Sequence, residues 1–273
     1  MNMRASPLIF AAAMAVAGCG DVTSAVPQTT ELRLVNAVVN LNTTTAPGNE
    51  IDILIDSSTA PPGTEKLAMN TARDYAELSV GIHSYVARIS GLTPPGSNLF
   101  RVLLRSHFTG AARGFTMYVV GINPATGEPA ASAIQAAVIF DDRFVPRTVN
   151  GTLQARFKVV NVAPYASGPT GTGAQVNIYL SPGTTPLSTV ANLAPQTSSA
   201  VFFRSGSAYV NAAAGDYVLT LATTAGVVLK SVPVSLGSGD VRTFVLMNTG
   251  PVVAPATAGP GNHTIMTLVD ADF

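Results

Sequence analysis

Two stretches decide how this chain folds: Glu31-Leu32-Arg33-Leu34-Val35-Asn36-Ala37 and, 125 positions later, Arg156-Phe157-Lys158-Val159-Val160-Asn161-Val162. At the same offset Ile51-Asp52-Ile53-Leu54-Ile55 matches Val176-Asn177-Ile178-Tyr179-Leu180. Both of these strands alternate in side-chain character, so each is expected to bury one face. Three further blocks follow in the same order. Val80-Gly81-Ile82-His83 corresponds to Ala214-Gly215-Asp216-Tyr217, and Met117-Tyr118-Val119-Val120 to Thr243-Phe244-Val245-Leu246. Val138-Ile139-Phe140-Asp141-Asp142 corresponds to Thr267-Leu268-Val269-Asp270-Ala271-Asp272. Five blocks in one order mark a duplicated unit. The chain therefore reads as two β domains in tandem, residues 31–147 and 148–273, joined near 143–152.

Composition agrees with an all-β chain. Short apolar stretches are separated by Gly, Pro, Asn and Ser clusters, the signature of a sandwich or barrel. The segment 130–137 runs into Val138-Ile139-Phe140 and reads as strand. Charged residues make up 11% and the formal net charge is zero, so no basic surface invites nucleic acid. A hydrophobic share of 47% argues for burial over disorder. Aromatics are 7% with no Trp, which argues against the aromatic girdles of a transmembrane barrel.

The opening strands ending in Val-Asn-Ala or Val-Asn-Val-Ala-Pro (Val160 to Pro164) resemble those of the DUF4397 family of bacterial envelope proteins. The Ile-Asp-Ile-Leu-Ile strand and the segment from Ala214 to Leu221 are similar to that family too. The second repeat fits along its length. The first departs from the pattern, with Val38 and Val39 where Ala163 and Pro164 stand, so its first turn is expected to differ. The resemblance implies an immunoglobulin-like sandwich in each repeat and an exported location, with no assigned reaction.

The N-terminus carries an address. A ten-residue apolar run from Leu8 to Ala17 follows Arg4. It is too short to span a bilayer, which needs ~20 residues, and suits a signal-peptide core. It ends in Val16-Ala17-Gly18-Cys19, which resembles the lipobox of bacterial lipoproteins. That resemblance implies removal of residues 1–18 and lipid, palmitate among its chains, on the Cys19 thiol. Residues 19–30 then form a polar tether. By the same resemblance, Gly rather than Asp at position 20 implies the outer membrane. Cys19 is the only cysteine, so no intramolecular disulfide forms.

Little chemistry is legible beyond the anchor. His83, His107 and His263 share no metal-binding spacing; His83 is expected in a strand with its side chain at the sheet surface or half-buried, and His107 and His263 in solvent beside loops. Ser205-Gly206-Ser207 and Gly237-Ser238-Gly239 read as turns, and the loop 168–173 lacks the helix a phosphate site needs. Asp141 with Asp142, and Asp270 with Asp272, end corresponding strands and are weak Ca²⁺ candidates, since that ion takes six to eight oxygens. Asn36 and Asn161 read as turn formers. Tyr165 opens one of two matched loops, 38–49 and 164–173, and could stack on a sugar. The expectation is a non-enzymatic, membrane-tethered envelope protein without a cofactor, structural or binding an envelope partner. A surface carbohydrate-binding or adhesion module is the alternative, and a hydrolase using dispersed acids comes last.

Overall fold

The computed structural model of the chain describes residues 29–39, 50–56, 64–90, 98–106, 114–122, 134–141, 148–149, 151–164, 175–249 and 262–271. Cys19 with Val16, Ala17 and Gly18, and also His107, Asp142, Tyr165 and Asp272, lie outside these residues.

Nine strands build repeat 1: β1 (Thr29–Val39), β2 (Ile51–Ile55), β3 (Thr64–Leu67), β4 (Thr71–Ala72), β5 (Ala76–Ser79), β6 (Gly81–Ile89), β7 (Asn98–Ser106), β8 (Gly114–Ile122) and β9 (Gln135–Asp141). One sheet runs β4-β1-β8-β9 with β5 also on β1, and the other β3-β2-β6-β7. A small hairpin, β10 (Thr148–Val149) with β11 (Thr152–Leu153), follows at the junction. Repeat 2 then uses β12 (Ala155–Asn161), β13 (Gln175–Pro182), β14 (Val201–Phe202), β15 (Ser205–Gly206), β16 (Val210–Ala212), β17 (Gly215–Thr223), β18 (Val228–Leu236), β19 (Val241–Asn248) and β20 (His263–Ala271). Its sheets run β15-β12-β19-β20, with β16 on β12, and β14-β13-β17-β18. Strand for strand this is the order of repeat 1. Each repeat is an immunoglobulin-like sandwich, with its first strand parallel to its eighth.

Each sandwich closes on its own core. Leu32 and Leu34 of β1, Ile51 and Ile53 of β2, Tyr85 of β6 and Met117 of β8 form one cluster from both sheets of repeat 1. Phe157, Ile178, Leu219, Leu221 and Phe244 do the same in repeat 2. Buried side chains of this size contribute roughly 1.5–3 kcal/mol each.

The opposite faces of β1 and β12 are buried as well. Val35, Ala37, Tyr118 and Val120 pack against Val160, Val162, Val245, Met247 and Leu268. The two sandwiches therefore meet sheet to sheet, and β1 is buried on both sides.

Asn36 and Asn161 stitch each sandwich across its layers. Asn36 Oδ1 accepts the amide of Val38 (3.0 Å) and its Nδ2 donates to the carbonyl of Leu67 (3.0 Å). Asn161 repeats this with the amide of Ala163 (3.2 Å) and the carbonyl of Val201 (3.3 Å). Asn36 lies within β1 and Asn161 ends β12, and both act as ties between the sheets.

Four expectations need correction. Leu34 pairs with Met117 and Val159 with Phe244, so Thr116, not Met117, is the counterpart of Thr243. His263 is wholly buried, opens β20 and pairs with Asn248. Ser205-Gly206 is strand β15 on β12, the turn being made before it by Arg204 at φ 63°. His83 lies in β6 as expected, but it is buried and held by Asp56 and Ser79. The departure at Val38 and Val39 takes the form of a longer strand: β1 pairs with β8 as far as Val39–Ile122, whereas β12 ends at Asn161.

Outside the sheets, residues 183–200 of repeat 2 fold back over its outward sheet. Val190, 4% exposed, packs on Tyr179 and Ala222, and the amide of Leu187 donates to Ser231 Oγ at 2.8 Å.

Candidate functional site

The strands that end in Asp141 and Asp270 bring both acids to the interface between the repeats. They do not lie at the surface as strand ends. Arg33 and Lys158 occupy matching positions of β1 and β12 and point to the same interface. All four are at most 3% exposed.

The pairing crosses from one repeat to the other. Arg33 of repeat 1 donates to Asp270 Oδ1 of repeat 2 at 2.5 Å. Lys158 of repeat 2 donates to Asp141 Oδ1 of repeat 1 at 2.5 Å. Around them every role is duplicated. Thr116 and Thr243 hydroxyls donate to Asp141 Oδ2 (2.5 Å) and Asp270 Oδ2 (2.6 Å). Tyr75 and Tyr209 hydroxyls donate to the same two oxygens at 2.6 and 3.1 Å. The guanidinium of Arg33 lies 4.4 Å over the Tyr75 ring, and Lys158 Nζ 5.0 Å from the Tyr209 ring centre. Cations over aromatic faces gain further electrostatic attraction. Arg33 also donates to Thr116 Oγ1 (3.0 Å) and to the Val269 carbonyl (3.1 Å), while Lys158 reaches the Phe140 carbonyl (2.7 Å).

Two positive and two negative charges thus share one sealed pocket of protein. Burial raises the Asp270 carboxyl above its ordinary value, and the neighbouring Asp141 charge pushes the same way, against Arg33 and Lys158. Burial works against the charged Arg33, but Tyr75, Asp270 and Asp141 more than offset it, so its proton is held above the usual range. Tyr75 is raised by burial first and by Asp141 next, and stays a hydroxyl donor.

Both oxygens of each acid are occupied by protein donors. The weak Ca²⁺ expectation therefore meets, at Asp141 and Asp270, carboxylates already neutralised by cations. Among the described residues no three His, Cys, Asp or Glu side chains converge as a metal site would require. No helix among them is long and apolar enough to cross a membrane.

Sequence reasoning found the acids and missed their partners. Arg33 and Lys158 stand at the third place of the two opening blocks, each a cation between apolar neighbours in a strand, and that repeated oddity was the available signal. Tyr75 and Tyr209 gave none, because they precede β5 and β16, whose sequences differ.

No family model matches the chain, and no curated protein does. Among solved structures it is similar to a protein from Bacteroides eggerthii provisionally assigned to cell adhesion, at 10% identity over 89% of this chain and 95% of that one, with a TM-score of 0.24. It is also similar to the C-terminally truncated tip fimbrial protein Mfa3 from Porphyromonas gingivalis, at 8% identity over 88% of this chain and 99% of that one, with a TM-score of 0.23. At such scores the likeness carries no functional argument.

Proposed function

We propose that the chain is a non-enzymatic lipoprotein of the bacterial envelope, a rigid pair of DUF4397-like sandwiches tethered through lipid on Cys19 and presenting its outward faces to a partner. One observation carries this reading: the converging ionisable groups are spent on holding the two repeats together. A catalytic acid or base must reach a substrate proton, and Asp141, Asp270, Arg33 and Lys158 are walled off by the sheets they join. Among the described residues, the outward faces remain as the surface a partner would meet. The resemblance of Val16-Ala17-Gly18-Cys19 to a lipobox supports the anchor, and Gly20 supports the outer membrane.

The test is in two parts. Labelled palmitate is expected in the wild-type protein and not in Cys19→Ser, which should leave the membrane fraction. Crosslinking in intact cells followed by capture of the anchored protein is expected to recover an envelope protein. Labelling that survives Cys19→Ser overturns the anchor. Glycan capture abolished by Tyr165→Ala moves the reading to carbohydrate adhesion.

A further inference from the structure

The two repeats share one strand order, but the outward sheet of repeat 1 carries two exposed aliphatic side chains at one end that its copy lacks. Ile82 on β6 is 69% exposed and Leu103 on β7 is 65% exposed. Ser84 pairs with Leu103 and Ile82 with position 105, so the two apolar residues are diagonal neighbours on the outward face. Arg101 is exposed on the same face, two residues along β7. Phe140, 49% exposed, closes the same end of the core beside Phe115, their ring centres 6.5 Å apart. The matching positions in repeat 2 hold Asp216, Pro233 and Val269.

This end is where the chain enters the fold. Thr29 pairs with Ser79, and the carbonyl of Ser79 accepts His83, one residue past Ile82. The ten steps from Cys19 to Thr29 reach at most about 35 Å when fully extended. A lipid on Cys19 would therefore keep this end within reach of the bilayer surface, with the outward sheet of repeat 1, on the side opposite repeat 2, beside it.

We propose that Ile82, Leu103 and Phe140 dip into the phospholipid headgroup layer with Arg101 on a lipid phosphate, so that repeat 1 lies on the membrane and repeat 2 stands away from it. Exposed apolar side chains beside a cation are the chemistry of interfacial membrane contact. The proposal rests on the Cys19 anchor.

The chain has no Trp, so a single introduced indole reports on one place. Intact lipoprotein carrying Leu103→Trp, or Pro233→Trp as its counterpart in repeat 2, is reconstituted into phosphatidylethanolamine–phosphatidylglycerol vesicles with lipid brominated near the headgroup. Emission of the Leu103→Trp protein is expected to be quenched several-fold more than that of the Pro233→Trp protein. Adding Ile82→Ser or Arg101→Ala should weaken the quenching. Both sites are solvent-facing, and circular dichroism matching the wild type shows that they fold. Equal, weak quenching at both positions in protein that still floats with the vesicles overturns the proposal and leaves the anchor standing. Protein that does not float removes the anchor, and this proposal falls with it.

Discussion

In repeat 2 the outward sheet is covered by eighteen residues between β13 and β14, positions 183–200, with Val190 seated on Tyr179 and Ala222. The matching connection in repeat 1, positions 56–63, has eight, and the sheet it adjoins leaves Ile82 and Leu103 open. Where the repeats face each other, by contrast, Arg33 answers Lys158, Asp141 answers Asp270, and the threonines and tyrosines correspond one for one. The shared face is constrained from both sides, because a change in either repeat strands a charge in the other. The outward faces carry no such mutual constraint, and there the copies have parted.

The largest expected effect comes from breaking the symmetric part. Arg33→Ala leaves Asp270 buried without its cation, and Lys158→Ala does the same to Asp141. Losing one partner of a buried pair costs about 3–5 kcal/mol, read as a fall in urea midpoint at unchanged slope. A loss under about 1 kcal/mol for both would mean that water reaches the cluster and screens it as at an open surface.

Close approach of the repeats gives the next test. A Cβ on Gly206 would stand 3.2 Å from Ile139 of the other repeat and 3.4 Å from Val160, while repeat 1 has Ala72 at the matching position. Gly206→Leu should cost about 1–3 kcal/mol by overpacking. Ala72→Leu, measured in the same assay, sharpens the comparison by showing whether both sides are equally tight.

Val190→Ala probes the cover present only in repeat 2. Removing two buried carbons costs about 1.5 kcal/mol, and hydrogen exchange should rise in 183–200 while repeat 1 is unaffected.

Acidity separates the two acids. Because Asp270 is raised, the folded chain holds its proton more tightly than the unfolded chain does. Its contribution to stability therefore grows as pH falls from neutral through the folded value, and levels off below the ordinary carboxylate range near 4. Asp56 has the opposite sign: burial works against its charge, but its bonds with His83 and the Ser84 amide outweigh that and hold it below the ordinary value, so its contribution fades as pH falls. Denaturation of wild type against Asp270→Asn from pH 7 to 4 isolates the first effect, and a wild-type advantage that shrinks on acidification would contradict it. The smallest change is expected at the bare face, where Ile82→Ser should alter stability by about 0.5 kcal/mol or less.

The duplication was legible because it needs only order and spacing. Its register was not legible everywhere. Strands with one wet face announce their phase by alternation, but β8 and β19 are buried on both faces, and a nearly continuous apolar run fits equally well one residue either way. That is why Thr116, the true counterpart of Thr243, was passed over for Met117. His263 was lost for a related reason: it follows a Gly- and Pro-rich stretch and looks like loop, whereas its burial depends on pairing with Asn248. The acids at 141 and 270 stood out as a repeated feature. Their cations lie 17 and 237 positions away, and no local pattern ties one to the other.

The longer of those separations bears on how the protein comes to be assembled. Arg33 is made early and its counter-ion 237 residues later. An emerging repeat 1 can gather its own core, but its second face must stay wet until β20 arrives with Asp270. Contacts this remote in sequence slow folding. A chain that cannot finish early remains threadable, a property that the proposed export across a membrane would use.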